Sequence, residues 1–255
     1  MGILIIFNCA LLCVILTGVF LCKRHIKSEK GKHLALLFSA LLTILCHYST
    51  FIYLFLTSGS TVEHLKENPN LLLPIYPCNV VMWGCLVYGL LKNKRRKFAS
   101  FLGDYLFWFG IFSTLVGMFA NVDFINNPTL KDYAVTKSIL AHATLLFNIL
   151  LIDAFGYIKV DLRKNMLHIF MAVIMMYVIG LYCNKVFEVL VSAEEANAVN
   201  SMFILHSPFP AVPLLTYPTI AGASLVLYFL LFSLCELFAY PKGNRWLHRS
   251  KSAVS

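Results

Sequence analysis

LLLPIYPCNVVMWGCLVYGLL, residues 71 to 91, is long and apolar enough to cross a bilayer, yet it carries two prolines, a cysteine and an asparagine in its first nine positions. A membrane crossing needs roughly 20 apolar residues for about 30 Å of hydrocarbon. Six further stretches meet that length, at about 3–22, 34–57, 99–121, 137–157, 166–190 and 217–240. The chain has 255 residues, 59% of them hydrophobic and only 13% charged, with a mean hydropathy of +0.76. That balance excludes an ordinary soluble domain. The expectation is an all-α polytopic membrane protein, a bundle of seven transmembrane helices in a single integral membrane domain over 1–255, with a basic tail at about 241–255.

The charges set an expected orientation. Lys23, Arg24, Lys27, Lys30 and Lys32 follow the first span; Lys92, Lys94, Arg95, Arg96 and Lys97 follow the third; Lys159, Arg163 and Lys164 follow the fifth; and Lys242, Arg245, Arg249 and Lys251 fill the tail. The alternate loops hold Lys66, Lys131 and Lys137. By the positive-inside rule the C-terminus is cytosolic and the N-terminus external or lumenal. No basic residue precedes the first apolar stretch, so it reads as a retained helix rather than a cleaved signal. The net charge of +9 is then a matter of topology and of anionic lipid headgroups, and no nucleic-acid partner is implied. All eight cysteines fall in or at the ends of spans, as thiols rather than a disulfide framework. Asp104, Asp153 and Glu236 lie near cytosolic ends, where basic loops are the expected partners. Lys185 and Glu188 are spaced to pair on one helix face. The segment from about Ser192 to Thr216, rich in proline, is expected to fold back as an external cap.

Depth brings chemistry into view. Counting from the inner ends of their spans at 1.5 Å per residue, Cys78 lies roughly 20 Å up and His142 about 22 Å up. His47 falls at a similar height, giving an expected polar layer of Cys78, Asn79, His142, His47 and Tyr48. Pro77 lacks a backbone donor but suits the first position of a helix, so the regular helix is expected to start there, with Cys78 in its first turn. Unsatisfied N–H groups and the helix dipole at such a terminus favour a thiolate and can cradle an oxyanion. Residues 71–76 are then non-helical at membrane depth, which requires cover from protein or a wet cavity. Prolines and cysteines also serve as plain packing residues in membrane helices, whereas an intramembrane histidine points to function by default. Gly103, Gly110 and Gly117 recur every seven residues and form a thin face for helix packing. Asn121 ends that span on the external side, within reach of the layer. The histidines stand on separate spans with no carboxylate at ligand spacing, so neither a metal nor a cofactor is expected.

Taken in order, Leu73-Pro74-Ile75-Tyr76-Pro77-Cys78-Asn79-Val80-Val81, the glycine-bearing span from Phe107 to Asn121, Ser138-Ile139-Leu140-Ala141-His142 and Asn200-Ser201-Met202-Phe203 resemble the transmembrane protein 164 family and its bacterial YwaF-like relatives. The resemblance covers roughly residues 33–240. It implies a phospholipid acyltransferase that works without coenzyme A, passing a fatty acyl chain from a donor phospholipid through a cysteine thioester to an ether-linked lysophosphatidylethanolamine. Cys78 matches the nucleophile and His142 the essential histidine; Asn79, Asn121, Asn200 and His47 are the further candidates for oxyanion-stabilising or site-lining residues. The alternatives are a lipid hydrolase using the same pair, and a seven-helix receptor or transporter with no chemistry at Cys78.

The orientation is checked by tags on the two ends in sealed membranes. A tag at the N-terminus should be accessible only from the external or lumenal side and one after Ser255 only from the cytosol; both tags on one side would break the shared-depth argument.

Overall fold

The computed structural model of the protein describes residues 2–58, 71–94, 96–119, 129–207, 212–240 and 245. Its elements are α1 (Gly2–His25), α2 (Glu29–Ser58), α3 (Pro77–Leu90), α4 (Lys97–Phe119), α5 (Tyr133–Ala154), α6 (Leu162–Leu190), α7 (Ala193–Val199), a single 3₁₀ turn (Ser201–Phe203) and α8 (Tyr217–Ala239). The described residues include no strand. Six helices are long and apolar enough to cross a membrane, and α3 is a shorter apolar helix. This is the pattern of a multi-pass membrane protein, and its seven apolar helices match the expected spans in order.

The departure in α3 follows from its prolines. Its 14 residues span about 21 Å, short of the roughly 30 Å hydrocarbon core. Pro77 occupies the first helical position after Tyr76, which is extended (φ −117°, ψ 154°). The expected span of 71–91 is thus helical only from Pro77 onward. Leu71 and Ile75 are 3% and 1% exposed while Leu72 and Tyr76 stay exposed, so protein covers one side of this irregular approach, in the direction that the absence of water in lipid demands. At the other end, buried Lys94 turns back and donates to the carbonyls of Tyr88, Gly89 and Leu91, groups that the end of a helix leaves without partners.

The chain forms two compact units, residues 1–158 and 159–255. In the first, α5 packs against α1, α2 and α4, and α3 packs against both α2 and α4. Leu4, Val135 and Ile139 form one apolar cluster between α1 and α5. Ile15, Met118, Ala143 and Leu146 form a second across α1, α4 and α5. Polar bonds pin these contacts: Asn8 donates to the Met118 carbonyl, and fully buried Asn148 donates to the Leu36 carbonyl at 2.8 Å and to Ser39.

In the second unit, α6 packs against α7, α8 and the 3₁₀ turn. Glu236 accepts from the Leu162 N–H at 2.8 Å; it secures the start of α6, where the helix dipole favours a carboxylate. Lys185 and Glu188 do pair, at 2.9 Å. The expected cap begins with α7, started by Ser192, whose hydroxyl accepts from the Glu195 N–H at 3.0 Å. The chain then reverses through Asn200, Met202 and Phe203, all with positive φ (43°, 56° and 57°), and Met202 and Ile204 settle on Gly180 of α6. Residues 208–211, which carry two of the prolines that prompted the cap reading, lie outside the described residues. His206 donates to the carbonyls of Ser207 and Asn197, and these two bonds raise its pKa above the ordinary histidine value.

Asn184 holds the reversal, its carbonyl oxygen accepting from the buried Ser201 N–H at 2.7 Å. Replacing Asn184 by Ala should strand that N–H at a cost of about 1–3 kcal/mol. Hydrogen exchange at the Ser201 amide should quicken correspondingly, and unchanged protection would show that the loop is held by other contacts.

Candidate active site

Cys78 stands at the second position of α3, directly after Pro77. The backbone N–H groups of Asn79 and of Cys78 itself are within reach of the sulfur. Two features set this terminus: the Asn79 N–H bonds to the Tyr76 carbonyl at 3.0 Å, and the Asn79 side-chain oxygen accepts from the Tyr76 N–H at 3.2 Å. Asn79 is 4% exposed, and its carbonyl end is occupied in fixing the turn that presents Cys78.

His142 approaches from α5, a helix started by Asp132, whose carboxylate accepts from the Ala134 N–H at 2.8 Å. The His142 Nδ1 lies 2.8 Å from the Ser138 carbonyl oxygen. A carbonyl only accepts, so Nδ1 carries the proton and Nε2 keeps the lone pair, an assignment made from the bonding pattern. Nε2 and its side of the ring rest against Gly117 of α4. A Cβ built on Gly117 would fall inside van der Waals contact with Nε2 and Cδ2, and only 2.8 Å from Cε1. The seven-residue glycine series therefore has two uses. Gly103 accommodates the Tyr88 ring and Gly110 accommodates Ile149 and Val81, which is packing; Gly117 makes room for an imidazole.

Cys78 and His142 line one small cavity of about 30 Å³, together with His47, Asn79, Thr43 and Ala141, with Met82 and Leu145 on its apolar side. That is room for about one water molecule. The depth argument expected Cys78, Asn79, His142 and His47 in one layer, and the structure brings these four together. No hydrogen bond joins the Cys78 sulfur to either ring nitrogen of His142 among the described residues. Their proton path thus needs a bridging molecule or a small ring movement.

Tyr48, also expected in the layer, does not line the cavity; its ring lies beside Phe51, Trp83 and His47. Asn121 lies outside the described residues. Asn200 belongs to the second unit, and its side chain is committed there: the amide donates to the His206 carbonyl at 2.8 Å and the oxygen accepts from the Leu205 N–H at 3.0 Å. Its left-handed conformation and these bonds give Asn200 a structural role in the loop. Thr43, Ser138 and Gly117 are parts of the site that sequence reasoning missed. Thr43 had a signal, since it stands one helical turn from His47 on α2 and so shares its face.

A model of the TMEM164 family matches residues 2–236, nearly the whole chain, and the protein belongs to that family. No match was found among curated proteins or among solved structures.

The seat under His142 is tested by a double-mutant cycle. Gly117→Ala should cost roughly 1–3 kcal/mol by overpacking, measured by thermal or denaturant unfolding in detergent. In a His142→Ala background most of that cost should vanish, because the clashing ring is gone; equal costs in the two backgrounds would mean that the methyl group meets something other than His142.

Proposed function

We propose that the protein is a phospholipid acyltransferase that carries the acyl chain on Cys78, with His142 moving protons. The observation that carries this reading is the shared cavity: a thiol at a helix N-terminus and an imidazole with its proton on Nδ1 and a lone pair on Nε2 line the same small space. The family resemblance supports it by matching Cys78 to a nucleophile and His142 to an essential histidine.

The chemistry balances as two ester exchanges. His142 Nε2 takes the Cys78 proton, directly after a small ring movement or through one water held in the cavity. The thiolate attacks an ester carbonyl of a donor phospholipid, and the tetrahedral oxyanion is held by the Cys78 N–H, since Pro77 carries none and the Asn79 N–H bonds to the Tyr76 carbonyl. Collapse breaks the carbon–oxygen bond; the lysolipid oxygen takes the proton from His142, and the acyl group remains on Cys78 as a thioester. The hydroxyl of an ether-linked lysophosphatidylethanolamine then gives its proton to His142, attacks the thioester and leaves as a new ester, while the proton returns to the sulfur. No coenzyme A, metal or other cofactor enters either step.

The cavity supports this division of labour by its size. Room for about one water accommodates the reacting carbonyl and not an acyl chain, so in this reading the chain stays outside the cavity. The same room favours a second reading, lipid hydrolysis, in which water takes the place of the acceptor hydroxyl. Omitting and restoring the lysolipid separates the two: a transferase needs it for turnover, and a hydrolase releases fatty acid without it.

Substitutions give the sharper test. Cys78→Ala should abolish acyl transfer, while Cys85→Ala, two turns along the same helix and 1% exposed, should retain most of it. His142→Ala should lower turnover by about a hundredfold, the scale of a lost general base. Comparable loss from Cys78→Ala and Cys85→Ala would indicate packing damage, and near-normal turnover in His142→Ala would remove its role.

A further inference from the structure

Lys137 lies one helical turn before Ala141 on α5, on the face that Ala141 contributes to the cavity. Residues four apart on a helix are stacked neighbours, here about 6 Å along the axis. Lys137 is half-buried, unlike exposed Lys131 in the preceding turn. Its ammonium group is close enough to act electrostatically on both Cys78 and His142. Lys131 and Lys137 are the only lysines or arginines among the described residues at the Cys78 end of the first unit. A lysine within a span is costly and by default functional, whereas one that only anchors a helix end extends its head to water.

We infer that Lys137 is the anchor for the phosphodiester of the lipid whose ester group meets Cys78, an inference that rests on the acyl-transfer reading of the same site. The geometry suits a phospholipid. Its phosphate is separated from its ester carbonyls by a glycerol backbone, a span comparable with the single turn from Lys137 to the cavity wall. A carbonyl at Cys78 thus places the phosphate at the level of Lys137, where a charge-assisted hydrogen bond forms. The anchor also supplies selectivity: a neutral diacylglycerol offers the same two esters and nothing for the lysine to hold.

The test reads occupancy of the site without requiring turnover. Purified full-length protein is alkylated at Cys78 by a small thiol reagent, followed by peptide mapping, in the presence of increasing dialkyl-ether phosphatidylethanolamine or dialkylglycerol. Ether linkages cannot acylate the cysteine, so any slowing is protection. In Lys137→Gln the phospholipid concentration giving half protection should rise about tenfold or more, as expected for a lost hydrogen bond to a charged group. Protection by dialkylglycerol should be unchanged, and Lys137→Arg should stay within a few-fold of the native protein. Equal shifts for both lipids, no shift for either, or no protection by the phospholipid in the native protein would overturn the anchor. Failure of ester phospholipids to acylate Cys78 while the ether phospholipid protects it would overturn the acyl-transfer reading and leave the anchor standing.

Discussion

A proline within a membrane span leaves backbone groups that lipid cannot satisfy, and the first unit is arranged around that constraint at Pro77. Because lipid offers no hydrogen bonds, the irregular residues before Pro77 must be covered by protein, and Leu71 and Ile75 are buried accordingly. The helix can start only where its first N–H groups find acceptors. The Asn79 side chain and the Tyr76 carbonyl supply the local bonds. What remains is a helix N-terminus held inside the protein instead of at its edge, with a cysteine in its first turn.

The imidazole is held in a complementary way. One face of the problem is electronic: the Ser138 carbonyl fixes the proton on Nδ1. The other is spatial: the thin strip at Gly117 lets the ring lie against α4, where any side chain would displace it. Asn8 ties α1 to the carbonyl of the very next residue, Met118, and the Ile15–Met118–Ala143–Leu146 cluster locks α1, α4 and α5 together around that point. The position of His142 is therefore a product of three helices, and the proposed chemistry depends on their packing as much as on the two reacting side chains.

The expected spans were legible because transfer free energy into lipid is additive along a chain, and the start of α3 was legible because proline has one good place in a helix. Depth was legible too, since axial rise is constant, and it brought Cys78, Asn79, His142 and His47 to one level. Rotation about each helix was not. Depth alone could not tell that Tyr48 turns away while Thr43 turns in, nor that Gly117 faces an imidazole while Gly110 faces Ile149. The bonds of Asn200 were not legible for a related reason: its position in a motif said nothing of the left-handed turn that engages its side chain. The bond of Glu236 to the start of α6 was not legible either, because the N-terminus it serves appears only once the chain has folded. Lys137 was counted with the loop charges at the edge of the expected span 137–157, whereas the helix starts at Tyr133 and carries it one turn from Ala141 of the cavity.

The central claim is covalent, and a mass measurement tests it most directly. Purified protein incubated with a diacyl phospholipid and no acceptor should accumulate a species heavier by one fatty acyl group. Neutral hydroxylamine should remove it, peptide mapping should place it on Cys78, and adding an ether lysophosphatidylethanolamine should discharge it into a new diradyl lipid, because a two-step transfer leaves its intermediate waiting for the second substrate. An adduct mapped to another cysteine, or protein of unchanged mass across diacyl donors, would contradict the account.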